Sequence, residues 1–155
     1  MTNLLLAQLD QAYDHRSWHG TNLRGSLRNV TRAQAAWRPA QGRHNIWELV
    51  VHAAYWKYAV WRRLSGEAAR GSFPGGGSNW LKRPVTDTDA AWKADLALLK
   101  TMHVRLREAV TNIPPDRLPR RIKGGAVTYV ELIAGIIAHD LYHAGQIQLL
   151  KKLSR

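Results

Sequence analysis

Residues 128–153 read TYVELIAGIIAHDLYHAGQIQLLKKL, and they indicate the type of fold most clearly. The stretch opens with Thr-x-x-Glu, in which the side chains of Thr128 and Glu131 can cap the first turn of a helix. Residues compatible with a helix follow without a proline to the end of the sequence. We therefore predict a long helix that begins at Thr128 and includes the last residues.

Two histidines, His139 and His143, are four residues apart in this predicted helix. At about 100° per residue they lie about 40° apart on one face, which also carries core-type residues. Gly135 is one turn earlier, where we expect it to leave space beside a ligand. Imidazoles at this spacing can bind one divalent ion, as they do in helical zinc sites. The alternative is one core histidine and one surface histidine, and the inward phase favours the metal.

The rest of the chain predicts further helices. Apolar residues at helical spacing indicate helices over residues 3–16, 45–64 and 87–112. Residues 23–30 form an additional piece that either continues the first of these helices or kinks it. Together with the C-terminal helix, these segments account for most of the chain.

Glycine and proline separate the predicted second and third long helices. Residues 71–84 include FPGGGS and cannot form a helix, because glycine costs about 1 kcal/mol and proline about 3 kcal/mol in a helix interior. Thr86 or Asp87 is then the expected N-cap of the third helix. No alternating strand pattern of useful length is present. We predict an all-α four-helix bundle with this Gly/Pro-rich loop, in a single domain of residues 1–155.

A third metal ligand is expected from the inner face of another helix, and His52 in the second long helix meets that condition. The alternative is a core histidine that is hydrogen-bonded to a carbonyl group. Three neutral imidazoles would leave one coordination position for water or a substrate, as in catalytic rather than structural zinc sites. The sequence thus predicts an open three-histidine site.

Two charged residues share the phase of His52. Glu48 is one turn before it and three residues after Asn45, so it could be a fourth ligand, a base acting on bound water or a capping residue. Capping is the favoured role. Arg63 could bind an anionic group of a substrate, although a surface arginine is the commoner outcome.

Four other titratable residues are further candidates for the site. His15 and His19 are also four residues apart, but they lie off the apolar stripe and are expected at the surface. His103 is on the apolar face of the third helix and could be a fourth ligand, a partner of a ligand or a core residue. Asp140 faces about 100° away from His139, so we expect it on a solvated face, with orientation of an imidazole as the alternative.

Composition excludes several kinds of chemistry. The 155 residues include no cysteine, which excludes disulfides, a thiolate nucleophile, iron–sulfur clusters and cysteine-ligated zinc. The first ten residues lack the pattern of a signal peptide, and no apolar run approaches the roughly 20 residues of a membrane span. We therefore expect a cytoplasmic protein without a membrane partner.

The formal net charge is +12, from 23 lysines and arginines against 11 aspartates and glutamates. Such a balance is typical of proteins with nucleic acids, acidic lipids or anionic substrates as partners. The cations are spread along the chain and no nucleic-acid motif accompanies them. A solvated basic surface is therefore favoured over nucleic-acid binding.

Two stretches in combination are characteristic of a known family. These are GRHNIWELVVHAAYW at residues 42–56 and HDLYHAGQIQLLKK at residues 139–152, supported by AAWRPAQGRHN at residues 35–45 and by Trp18-His19-Gly20. The sequence resembles the DinB/YfiT-like superfamily of metal-binding four-helix bundles. The resemblance covers nearly the whole chain.

The resemblance implies an up-up-down-down bundle, frequent homodimers and a three-histidine site for zinc, nickel or another divalent ion. Matched residue by residue, the ligands would be His52, His139 and His143. Characterised relatives include thiol S-transferases and metal-dependent hydrolases. The expectation is a metal-dependent hydrolase or transferase acting on a small molecule, with any thiol supplied as a cosubstrate. The alternative is a non-catalytic stress-response or binding module with a structural or vestigial metal site.

Overall fold

The structure, a computed structural model, describes residues 1–66, 73, 74, 76 and 78–155. Its helices are α1 (Thr2–Tyr13), α2 (Leu23–Ser26), α3 (Arg32–Ala36), α4 (Ile46–Ser65), α5 (Asp89–Thr111) and α6 (Tyr129–Leu153), with a 3-10 turn at Pro115–Arg117. Over these residues the only β-pairing is an isolated bridge between Arg121 and Thr128. The predicted all-α fold is confirmed, and part of the predicted loop, at residues 71, 72, 75 and 77, lies outside the described residues.

Side-chain caps define where the long helices begin. Asn45 and Glu48 form a capping box at the start of α4, and Thr128 and Glu131 form one at the start of α6. Both starts agree with the sequence prediction. These boxes satisfy backbone N–H groups that have no partner within the helix.

Two predicted boundaries change. Helix α5 begins after Thr88, whose side chain accepts a hydrogen bond from the Ala91 N–H, and not after Thr86 or Asp87. Asp87 instead forms an ion pair with Arg32. The first helix ends at Tyr13 and not at residue 16, because the backbone leaves helical geometry at Asp14.

The segment after α1 does not continue it as a long arm. It folds into the short helices α2 and α3, which begin at the side-chain caps Asn22 and Thr31. Helix α2 packs against α6, and α3 packs against α4. Local capping, more than apolar periodicity, therefore determines this part of the chain.

Helix α4 is the central element, because it packs against both α5 and α6. All residues from 45 to 54 are buried, so the first half of α4 is enclosed on every side. A helix buried all round must place its polar side chains against specific partners. None of the described helices meets the length and hydropathy required to cross a membrane.

Gly135 lies at the surface and not beside a ligand in the interior. A Cβ atom built on it would have no neighbour within 4 Å, and the residue is exposed. The expectation that Gly135 provides space inside the bundle is therefore wrong. The open space at this position is solvent.

We expect the substitution Gly135→Ala to stabilise the protein by about 1 kcal/mol, because alanine favours a helix interior over glycine by that amount. The matched control is Gly66→Ala at the end of α4. Gly66 has a φ of 63°, and alanine in that conformation costs roughly 1–2 kcal/mol. Urea unfolding of the three proteins measures both effects, and a loss of stability in Gly135→Ala would contradict the surface placement.

Candidate metal centre

Helices α4 and α6 bring three histidines to a common point. The Nε2 atom of His139 is 3.3 Å from Nε2 of His52 and 3.0 Å from Nε2 of His143. One ligand nitrogen from each residue lies within 4.8 Å of the other two. Two nitrogens bound to one tetrahedral zinc ion at 2.0–2.1 Å are about 3.3–3.4 Å apart. The three rings are therefore spaced to hold one metal ion.

Hydrogen bonds on the outer side of two rings fix which nitrogen faces the centre. His52 Nδ1 is 2.8 Å from the carbonyl oxygen of Asn79, and His143 Nδ1 is 2.7 Å from Oε1 of Gln146. Because these oxygens only accept, each Nδ1 carries the hydrogen and each Nε2 presents a lone pair. Metal-bound histidines typically show this arrangement.

Without an ion, the ring of His139 leaves the three histidines with too few hydrogen-bond partners. Nδ1 of His139 is buried and has no partner among the described residues. Its Nε2 could donate one hydrogen to His52 or to His143, but not to both. At least one inward lone pair therefore lacks a partner, and a divalent cation would satisfy all three together. The donor set fits such an ion.

The environment keeps the three rings neutral. Burial lowers the pKa of His52 to about 4, and burial with repulsion from its histidine neighbours lowers the pKa of His139 to about 3. Burial also lowers the pKa of His143. Neutral imidazole is the form that binds a metal, so the site is ready to do so at pH 7 without first losing protons.

A cleft of about 590 Å³ reaches the centre at His143. Its wall includes Trp80, Tyr142 and Gln146. Among the described residues that line it, Arg43 is the only arginine or lysine. The size is that of a small-molecule pocket. The cleft thus touches one of the three histidines of the cluster.

Comparison with known proteins agrees with this arrangement. The sequence model of the DinB superfamily matches residues 15–147. This chain belongs to the DinB superfamily. The matched region includes His52, His139 and His143, and it spans α2 to α5 and most of α6. Searches of curated proteins and of solved structures gave no match.

An aromatic layer surrounds the histidines of this DinB-superfamily chain. The Trp80 ring stacks on His52 with the ring centroids 3.7 Å apart, and it stacks on His44 at the same distance on its other side. Trp56 meets the edges of the rings of His52 and His139. Trp80 and Asn79 are not among the site residues predicted from the sequence, because both lie in the predicted loop of residues 71–84, where no periodicity indicates the direction of a side chain. Only the fold brings that segment onto α4.

Glu48 is a capping residue and does not belong to the histidine group. Its carboxylate accepts a hydrogen bond from the Asn45 N–H and another, 2.9 Å long, from Nη1 of Arg38. Burial alone would raise the pKa of Glu48, but hydrogen bonds from Arg38, His44 and the Arg83 backbone outweigh it and lower the pKa. The carboxylate is therefore ionised, and hydrogen bonds occupy both of its oxygens. This agrees with capping as the favoured role of Glu48.

Three other candidates lie away from the cluster. His15 and His19 are exposed, as predicted, and Arg63 is exposed eleven residues after His52, or about 16 Å along the helix. Arg63 does not line the cleft beside His143. Binding of a substrate by Arg63 remains a prediction.

His103 and Asp140 belong to a second buried cluster. The His103 ring stacks on Tyr13 at 3.7 Å, and its Nδ1 is 3.4 Å from Nζ of Lys57. The prediction of a solvated Asp140 is wrong, because it is fully buried and forms an ion pair with Lys57, which is also fully buried. The cause is the position of Asp140 on the face of α6 that packs against α4.

The depressed histidine pKa values predict that the metal-free protein loses stability in mild acid. The unfolded chain binds protons near pH 6.5, whereas folded His52 and His139 bind them near pH 4 and pH 3. Stability is therefore complete above pH 6.5 and declines as the pH falls toward 4. Between pH 7 and pH 5 we expect a loss of about 2 kcal/mol from each of these two residues.

Urea unfolding of chelator-treated protein at pH 7 and pH 5 measures this loss. The double variant His52→Gln/His139→Gln should lose the contribution of these two residues, about 4 kcal/mol, because glutamine does not titrate. Part of the pH dependence should remain, because burial also lowers the pKa of His103 and of His143. Equal stability of the wild-type protein at the two pH values would contradict the buried, neutral state of the rings.

Proposed function

We propose that this chain is a divalent-metal-dependent enzyme, a hydrolase or thiol S-transferase, whose zinc or nickel ion is held by His52, His139 and His143. The observation that carries the proposal is the convergence of three Nε2 atoms, two of them with lone pairs fixed inward by hydrogen bonds on Nδ1. Membership of the DinB superfamily supports it. We also propose that the helices form an up-up-down-down bundle, that the protein is a homodimer and that it is located in the cytoplasm.

The residues around the cluster have distinct tasks in this proposal. The Asn79 carbonyl and the Gln146 amide hold the rings of His52 and His143, while Trp80 stacks on His52 and limits its rotation. When bound, a divalent ion supplies a Lewis acid that lowers the pKa of water or of a thiol toward neutrality. Because the chain has no cysteine, a thiol would have to enter as a cosubstrate.

The cleft at His143 indicates what such a substrate looks like. Leu149, Leu150 and Trp80 give it apolar and aromatic walls, and Arg43 places a positive charge at its side. Glu48 does not neutralise this charge, because its oxygens accept hydrogen bonds from Arg38 and face His44. A small molecule with an apolar body and an acidic group fits this lining.

The test compares metal-free protein with protein reloaded with zinc, nickel or manganese, expressed without a histidine tag. One assay uses hydrolysis of nitrophenyl esters, and the other uses transfer of small thiols to chlorodinitrobenzene. We expect chelation to abolish activity, the metal to restore it, and His143→Ala to remain inactive. His19→Ala, which alters an exposed histidine, is the matched control and should retain full activity.

Two outcomes would decide against an enzyme. Full turnover by the metal-free protein would remove the metal from the reaction. Stoichiometric metal binding without acceleration of either reaction would favour the non-catalytic module with a structural or vestigial metal.

A further inference from the structure

A second cleft, of about 670 Å³, lies between the segment that follows α1 and the C-terminal end of α6. Its described lining includes five arginines and lysines from three segments of the chain, namely Arg16, Arg28, and Lys151, Lys152 and Arg155. None of the described residues that line it is an aspartate or a glutamate. The lining therefore collects positive charge without a carboxylate side chain to balance it.

These cations lack acidic partners. Within the described part of the chain, none of Arg16, Arg28, Lys151 and Lys152 forms an ion pair with a carboxylate, whereas the neighbouring Arg24 pairs with Asp14 at 3.2 Å. Lys151 donates from Nζ to the backbone carbonyl oxygens of Ser26 and Arg28. An anion in the cleft would relieve the repulsion between these charges.

The side chain of Lys151 responds to this repulsion. Burial lowers the pKa of Lys151, and the charges of Arg155 and Arg28 lower it further. The wall is also held in place, because Nε2 of Gln148 donates to the Thr21 hydroxyl at 3.1 Å. The cations are thus presented by a connected wall that joins α6 to the segment before α2.

A third cleft adjoins this one and differs from it in character. It shares Arg16 and Arg28 with the basic cleft, and its lining adds the apolar side chains of Leu27, Leu96 and Leu99. The lining also includes Lys100 and the Arg24–Asp14 ion pair, in which Arg24 balances the one carboxylate side chain among the described lining residues. Its volume is about 830 Å³. A ligand with anionic groups at one end and an organic group at the other would match the two clefts together.

Neither cleft belongs to the metal centre. The basic cleft and the cleft at His143 share no described lining residue. On α6, Gln148, Lys151 and Lys152 are about 140°, 80° and 180° from His143 at 100° per residue, so they lie on another face of the helix. The metal centre and the basic cleft therefore occupy different faces of α6.

We infer that the basic cleft and the adjoining cleft with its leucine wall form a binding site for a small organic polyphosphate of the nucleotide class. Arginine and lysine side chains bind phosphate oxygens through charge-assisted hydrogen bonds, and the leucine side chains of the adjoining cleft contact the organic group. A concave site with cations from three segments suits a compact ligand. An extended nucleic acid would bind better to a row of cations along an open surface.

Calorimetry with the metal-loaded protein in 150 mM salt tests this inference with ATP, tripolyphosphate and adenosine as probes. We expect ATP to bind more tightly than tripolyphosphate, and adenosine to bind at least tenfold more weakly than ATP. The double variant Arg28→Gln/Lys152→Gln should weaken ATP binding about tenfold or more. The charge-matched control Arg117→Gln/Lys123→Gln changes exposed cations elsewhere and should keep the affinity within about twofold.

A further arm separates this site from the metal centre. The variant His143→Ala should bind ATP as the wild type does, whereas loss of binding would place ATP at the histidines and overturn the inference. Absence of ATP binding at 1 mM would overturn it as well. A 20-nucleotide DNA that binds more tightly than ATP, and is weakened equally by both double variants, would replace it with a diffuse basic surface.

Discussion

Replacement of Lys57 by methionine should destabilise the folded protein by about 3–5 kcal/mol. Lys57 and Asp140 are both fully buried, and Nζ of Lys57 donates to Oδ2 of Asp140. The variant keeps most of the volume of the side chain but leaves a carboxylate in the interior without a cation. Urea unfolding at pH 7 measures the loss.

The double variant Lys57→Met/Asp140→Leu is the matched control. Replacement of a whole buried ion pair by apolar residues is often neutral or stabilising, so we expect it to recover most of the stability. Oδ1 of Asp140 has no partner among the described residues, which indicates that the pair is not fully compensated. A loss of less than about 1 kcal/mol in the single variant would contradict the buried, charged pair.

Zinc at 1,000 times its dissociation constant should stabilise the protein by about 4 kcal/mol. For a chain of this size that raises the melting temperature by roughly 8–16 °C. The variant His143→Ala should lose most of this shift. Removal of a residue that only supports a metal ligand already costs about 10–100-fold in affinity, and removal of a ligand should cost more.

Calorimetric melting with and without zinc provides the measurement, and His19→Ala serves as the control. His19 is an exposed histidine outside the cluster, so its removal should leave the shift unchanged. An equal shift in His143→Ala would place zinc elsewhere on the chain. No shift in the wild-type protein would remove the basis of the proposed function.

The ion pair and the cluster involve the same two helices. Lys57 is five residues after His52 on α4, and Asp140 directly follows His139 on α6. The buried pair and the converging nitrogens therefore both link α4 to α6. We expect Lys57→Met to weaken zinc binding as well as stability, because it loosens the contact that positions the rings.

Local patterns were sufficient for much of the structure. The capping residues Asn45 and Thr128 and the apolar periodicity gave the starts of α4 and α6, because caps and helical phase depend on residues a few positions apart. The same phase argument identified the inward faces of His139 and His143. His52 was found in this way as well, although nothing local indicated its distance from the other two.

Where local patterns failed, a contact between distant segments was the cause. Asp140 looked like a surface residue on its own helix, but the partner that permits its burial, Lys57, is 83 positions earlier. Trp80 and Asn79 lie in the Gly/Pro-rich loop of residues 71–84, and their contacts with His52 depend on the packing of that segment against α4. The phase of α6 predicts an interior position for Gly135, yet the residue is exposed.

The residue types and their spacing were thus enough for the all-helical class, for the absence of cysteine chemistry and for the three histidines as a candidate set. Helix formation is governed by near neighbours, and those can be read along the chain. The tertiary structure alone decided that the three nitrogens meet, that a buried ion pair joins the helices carrying them, and that basic residues from three segments share one cleft. Each of these depends on packing between segments far apart in the chain, and no local preference encodes such a distance.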